Sequence, residues 1–102
     1  MSIEYRSRWL RAPEAEDKSQ LAGALAAFGR CLGEVREDVV VQIEFWTAER
    51  AGESGPDVTV YADDEGLLVS FHSVTRAQRT SVVARLDEIL LSRRLGTPLE
   101  EE

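Results

Sequence analysis

Between Asp38 and Thr47, Val39, Val41, Ile43 and Phe45 alternate with Val40, Gln42, Glu44 and Trp46. A period of two with one strongly apolar face predicts a half-buried β-strand. The run A-E-R-A-G-E-S-G-P at 48–56 breaks that pattern with Gly and Pro. Two more strands follow, with Val58, Val60 and Ala62 on one face of 57–62 and Leu67, Val69 and Phe71 on one face of 67–72. Pairing Ala62 with Leu67, Val60 with Val69 and Val58 with Phe71 keeps all six apolar side chains on one side. A slip of one residue would turn that face to solvent. The register leaves Asp63-Asp64-Glu65-Gly66 as a four-residue loop in which Gly66 is expected to take positive φ. On the other face it sets Tyr61 against Leu68, Thr59 against Ser70 and Asp57 against His72.

Helical spacing governs two other segments. Val82, Val83, Leu86, Ile89 and Leu90 form the core stripe of a helix predicted over 76–95. Thr75 and Gln78 give it a capping box, and Gly96 and Pro98 stop it. Earlier, Leu21, Leu25, Phe28, Leu32 and Val35 recur at the same spacing, and Gly33 is the expected stop. Asp17 with Gln20 makes one candidate N-cap and Pro13 another start. In 3–10, Ile3, Tyr5 and Trp9 alternate with Glu4, Arg6 and Arg8, as in a strand.

The order is then β-α-β-β-β-α. It predicts an α+β two-layer sandwich, a four-stranded mixed sheet with two helices on one face. A right-handed crossover makes the first two strands parallel. Residues 1–96 are read as one domain and 97–102 (T-P-L-E-E-E) as a frayed acidic tail.

Composition narrows the function classes. The 102 residues are 43% apolar and 30% charged, which suits an ordered globular domain. Cys31 and His72 are the only residues of their kinds, so no disulfide framework and no thiolate or imidazole zinc site is expected. Asp63, Asp64 and Glu65 are too close in sequence for a calcium loop. G-E-S-G-P at 52–56 lacks the spacing of a phosphate cradle. Cys31 lies beside the apolar stripe of the first helix, where a buried, inert thiol is expected rather than a nucleophile served by His72. No cofactor, no metal and no catalytic residue is expected. The opening M-S-I-E-Y-R-S-R-W-L-R carries charge where a leader needs an apolar run, so a cytoplasmic address is expected.

The net charge is −7, and residues 44–65 hold seven acids and one base, a local −6. Such a field repels nucleic acid and anionic membrane and attracts basic partners. The sheet face opposite the helices is expected to carry Val40, Gln42, Glu44, Trp46, Thr59, Tyr61, Leu68, Ser70 and His72. Aromatic anchors in a charged rim suit a protein interface. The expected partner-binding residues are Glu44, Trp46, Glu49, Glu53, Asp57, Tyr61, Asp63, Asp64, Leu68 and His72. Leu91 and Leu95, opposite the core stripe of the last helix, are expected as an oligomer contact, with a homodimer as one option.

These features imply a non-enzymatic protein-binding module. In size and charge the chain resembles bacterial immunity proteins and phage-encoded inhibitors, which implies blockade of a basic, nucleic-acid-processing enzyme or toxin. It is also similar to type III secretion chaperones in being small and acidic with a helix, three strands and a helix. That implies instead a homodimeric chaperone or adaptor.

The capping box yields the first prediction. Thr75→Ala removes the acceptor for a first-turn N–H and is expected to cost about 1 kcal/mol. An unchanged denaturant midpoint would place the helix start elsewhere.

Overall fold

The structure is a computed structural model that describes residues 3–32, 39–45, 57–72 and 74–102. In chain order its elements are β1 (Ile3–Arg8), α1 (Ala15–Ala26), β2 (Gly29–Cys31), β3 (Val39–Phe45), β4 (Val58–Ala62), β5 (Gly66–Phe71), α2 (Arg76–Ser92) and β6 (Glu100–Glu101).

The β4–β5 hairpin has the register that the alternation requires. Val58 faces Phe71, Val60 faces Val69 and Ala62 faces Leu67. The antiparallel ladder extends one residue further, where the His72 N–H donates to the Asp57 carbonyl at 2.9 Å.

Around this hairpin the architecture is α+β, but the sheet differs from the expected four-stranded mixed one. It has six strands among the described residues, in the order β2-β3-β4-β5-β1-β6, and every pairing is antiparallel. The expected parallel pair is absent because β1 lies beside β5 rather than beside β3. Tyr5 faces Val69 there, and its ring meets Phe71 edge-on with centroids 5.7 Å apart. β1 and β2 point the same way but are separated by β3, β4 and β5. The crossover through α1 therefore bridges three strands instead of joining neighbours.

The two added strands come from segments expected to be helix and tail. The apolar period of the first helix runs on to Phe28 and Leu32, yet α1 ends at Ala26. The chain there turns to pair Gly29, Arg30 and Cys31 with Phe45, Glu44 and Ile43, and the Leu32 N–H continues the ladder to Gln42 at 2.8 Å. Residues 97–102 are docked rather than frayed. The Thr97 and Glu102 N–H groups donate to the Arg8 and Glu4 carbonyls at 3.0 and 2.9 Å. Leu99 is buried, and its N–H donates to Asp87 Oδ1 at 2.8 Å. β1 would otherwise present an open edge, and this short acidic strand closes it.

Both helices pack on the same face. Leu21, Ala24 and Leu25 of α1 join Val82, Leu86, Ile89 and Leu90 of α2 over Ile43, Val58, Val60, Leu67, Val69 and Phe71. β3 carries a bulge between Val39, which pairs with Tyr61, and Val41, which pairs with Val60. One extra residue inverts the parity there. Val40 therefore enters the core cluster with Val41, while Val39 leaves it for the Tyr61 side.

α2 begins on the Thr75–Gln78 box, with the Gln78 N–H donating to Thr75 Oγ1 at 3.1 Å and the Thr75 N–H to Gln78 Oε1 at 2.9 Å. It stops three residues earlier than Gly96 suggests. Arg94 takes the left-handed conformation at φ 50°. The Arg94 N–H reaches the Leu91 carbonyl at 3.2 Å and the Leu95 N–H the Leu90 carbonyl at 2.8 Å. This is a Schellman ending, whose apolar residue after the turn folds back on the helix. Leu95 is accordingly fully buried.

Gly66 is required for a reason other than positive φ. It pairs with Arg8, and a Cβ built on it would lie 1.7 Å from the Ser7 carbonyl oxygen and 2.9 Å from Arg8 Cα. The constraint is close approach of the β1 backbone rather than turn conformation. Even Gly66→Ala is therefore expected to destabilise, by about 2 kcal/mol or more. Were space available, the same change would stabilise slightly by restricting the unfolded chain. The direction of the shift in denaturant midpoint decides between the two.

Candidate partner-binding surface

The face of the sheet away from the helices carries the side chains that alternate with the core set. Tyr61 and Leu68 stand opposite each other and are half-buried. Thr59 and Ser70, the next pair, are almost fully buried, and Gln42 Nε2 donates to Thr59 Oγ1 at 3.4 Å. Arg6 extends this face onto β1 opposite Leu68, and half-buried Glu44 extends it onto β3. Arg30 on β2 approaches Glu44 at 3.5 Å.

Nine of the ten expected partner-binding residues divide into three groups, and the tenth, Asp64, is exposed on the β4–β5 turn. Glu44, Tyr61 and Leu68 share this face, and half-buried His72 follows Phe71 at the end of β5. Trp46, Glu49 and Glu53 lie outside the described residues. Asp57 and Asp63 are brought to the sheet for another purpose. Asp57 is 2% exposed, and its N–H donates to the Ile43 carbonyl at 2.8 Å. At that exposure it is not part of an open rim.

Asp63 organises the β4–β5 turn. Its Oδ1 accepts the N–H groups of Glu65 at 2.9 Å and Gly66 at 3.0 Å, and both carboxylate oxygens accept from Arg6 Nη1 at 2.9 and 2.8 Å. Its carbonyl accepts the Trp9 indole N–H at 2.7 Å. Burial pushes the Asp63 carboxyl up, but the Arg6 bond and the two N–H groups outweigh it and hold the group below the usual carboxylate range. Arg6 also donates to Glu102 at 3.1 Å. Two of the seven acids in 44–65, Asp63 and Glu44, are thus paired within the chain, with Arg6 and Arg30. Asp64 and Glu65 remain exposed, without an ion-pair partner among the described residues.

Leu91 and Leu95 do not form one contact surface. Leu91 is 55% exposed, whereas Leu95 is fully buried in the core by the Schellman turn. Cys31 is also displaced from its expected place. It is exposed on β2, not buried beside a helix. Ile43, Val58 and Phe71 follow it across the sheet, which puts Cys31 and the region of His72 about 14 Å apart at ordinary strand spacing. That is no nucleophile–base pair. Among the described residues, no cluster of three or more His, Cys, Asp or Glu is placed to hold a metal, and no helix is long and apolar enough to cross a membrane.

The strongest charged cluster is one the sequence pattern did not single out. Asp17, 1% exposed, accepts from Arg11 Nη1 and Nη2 at 2.7 and 2.8 Å, from Arg93 Nε at 2.7 Å and from the Glu14 N–H at 2.8 Å. Arg11 Nη2 also donates to the Arg93 carbonyl at 3.2 Å. The residue expected as N-cap is therefore the third residue of the helix, reaching back to Glu14. The spacing of Glu14 and Asp17 is a capping-box signal with the acids exchanged, and nothing local announces Arg93. The Arg11 hydrogen bond, then the Glu14 N–H and Arg93, hold the Asp17 carboxyl far below the usual range against the opposing effect of burial.

Comparison with known protein families, with curated proteins and with solved structures finds no match.

A depressed carboxylate pKa contributes stability that is present above the ordinary value near 3.9 and lost as pH falls below it. Asp17→Asn is expected to cost about 2 kcal/mol at pH 7. Its urea midpoint should converge on that of the wild type as pH is lowered from about 5 toward 2. A gap that stays constant with pH would show that the Asp17 charge contributes nothing.

Proposed function

We propose that this protein is a non-enzymatic binding module of the inhibitor or immunity kind, which blocks a partner that presents a basic surface. The observation that carries the reading is the Tyr61–Leu68 pair. It lies on the side of the sheet opposite both helices, and neither residue is fully buried. An aromatic and an aliphatic side chain on adjacent rigid strands make a preformed anchor, since strands hold side chains at low entropic cost. Glu44 and Asp64 supply negative charge at its margins, and Trp46, Glu49 and Glu53 are candidates to extend it. The homodimeric chaperone reading rests on Leu91 and Leu95 together, and burial of Leu95 removes half of that surface.

The experiment is capture on immobilised protein at low and high salt, followed by binding kinetics with the retained partner. A basic partner held by the wild type and lost from a Tyr61→Ala, Leu68→Ser variant supports the reading. Neutralising Glu44, Glu49 and Glu53 together should lower the on-rate and flatten its salt dependence. Tyr61→Ala should raise the off-rate, with a loss of about 2 kcal/mol at a central anchor. A partner bound with both rates unchanged by these variants places the interface elsewhere.

A further inference from the structure

At the end of the sheet, the chain leaving β1, the first turn of α1 and the β4–β5 turn line an open cleft of about 460 Å³. Its volume falls in the lower part of the roughly 300–1,000 Å³ range of small-molecule sites. The lining includes Trp9, Pro13, Lys18, Ala62 and Asp64. The Trp9 ring packs against the core, and its indole N–H is held by the Asp63 carbonyl at 2.7 Å, so the ring is fixed in place. Asp63 spends its own carboxylate on Arg6 and on the turn, which makes the opposite wall rigid as well.

Two charges on these walls are left over. Lys18 is the chain's single lysine among twelve basic residues, and it is half-buried. Asp64 is exposed at the tip of the turn. Neither side chain makes a hydrogen bond or ion pair with any described residue, and no ion pair joins the two. Opposite charges that line one cleft without meeting, beside a fixed indole, are complementary to a molecule that carries both charges itself.

We propose that this cleft binds a small zwitterion with a planar apolar group, of the aromatic α-amino-acid class. The ligand carboxylate meets the Lys18 ammonium, the ligand ammonium meets the Asp64 carboxylate, and the apolar group packs on Trp9. Lysine suits the first role as a compact charge on a flexible stem that can follow the ligand. Aromatic packing contributes beyond the area it buries. A ligand with one charge leaves one of the two wall charges unanswered. Trp9 and Lys18 lie apart from the Tyr61–Leu68 face while Asp64 borders both, and a titration with the free ligand tests this site without any protein partner.

The test is two-dimensional ¹⁵N NMR titration with L-phenylalanine, phenethylamine and hydrocinnamate, which carry both charges, the positive charge alone and the negative charge alone. Saturable shifts at the Trp9 indole N–H and at the Lys18 and Asp64 amides are expected with L-phenylalanine. Each one-charge analogue, and each of the variants Lys18→Gln and Asp64→Asn, should bind about tenfold more weakly. The unperturbed remainder of each spectrum reports that the variants are folded. The proposal is overturned if L-phenylalanine gives no saturable shift, if either analogue binds as well, or if both variants bind like the wild type.

Discussion

Parity of the β4–β5 hairpin is the constraint on which the rest depends. Val58, Val60 and Ala62 must face the same side as Phe71, Val69 and Leu67, because that side is the one two helices can cover. Once this holds, the turn has four residues and Asp63 opens it. The Asp63 carboxylate is then aimed at two turn N–H groups and at Arg6, and its carbonyl at the Trp9 indole. Arg6 and Trp9 belong to the N-terminal segment, so the turn that closes one hairpin also seats β1 on β5. β1 in turn supplies the edge on which β6 closes the sheet. An apolar period of two is thus converted, through one carboxylate, into the placement of both chain ends.

The helical layer is tied down by a second carboxylate. Asp17 joins the start of α1 to Arg11 before it and to Arg93 at the end of α2. Apolar contact alone lets helices slide and rotate on a sheet at small cost, whereas fixed charged hydrogen bonds select one arrangement. Both anchors are acids in an acidic chain. The net charge of −7 already counts the arginines they meet, so these pairs leave the total unchanged and shift the outward negative potential onto other acids. Acids without such a partner, Asp64 among them, carry more of the outward potential than their number suggests. This separates the residues available for recognition from those that only resemble them in composition.

Several residues show why function was harder to read than fold. Gly66 stands out in the sequence, but as a turn glycine. Its actual constraint, the Ser7 carbonyl, belongs to a strand nearly sixty residues earlier. Leu95 has the spacing of an exposed helix face, yet the helix ends before it and folds it inward. Phe28 and Leu32 continue a helical period, and the edge of β3 recruits the residues between them, Gly29–Cys31, as strand instead. For Gly66 and for β2 a non-local backbone partner decides what the local signal means, and for Leu95 the Schellman turn does.

What the sequence determined by itself is the set of features whose causes lie within a few residues. These are the period-two strands of the meander, the register of β4 and β5, the capping box at Thr75, the core stripe of α2 and the placing of Tyr61 and Leu68 opposite each other on the face away from the core. All rest on steric parity, helical periodicity or a hydrogen bond between near neighbours, and none needs knowledge of what packs where. Tertiary structure alone decided that β1 pairs with β5, that β2 and β6 exist, that Asp17 meets Arg93 and that Trp9, Lys18 and Asp64 line one cleft. Those outcomes are choices among edges and partners that are nearly equivalent locally. Backbone groups at a sheet edge pair with whichever strand the packed helices and the turn carboxylates bring within reach, and that selection is a property of the whole chain.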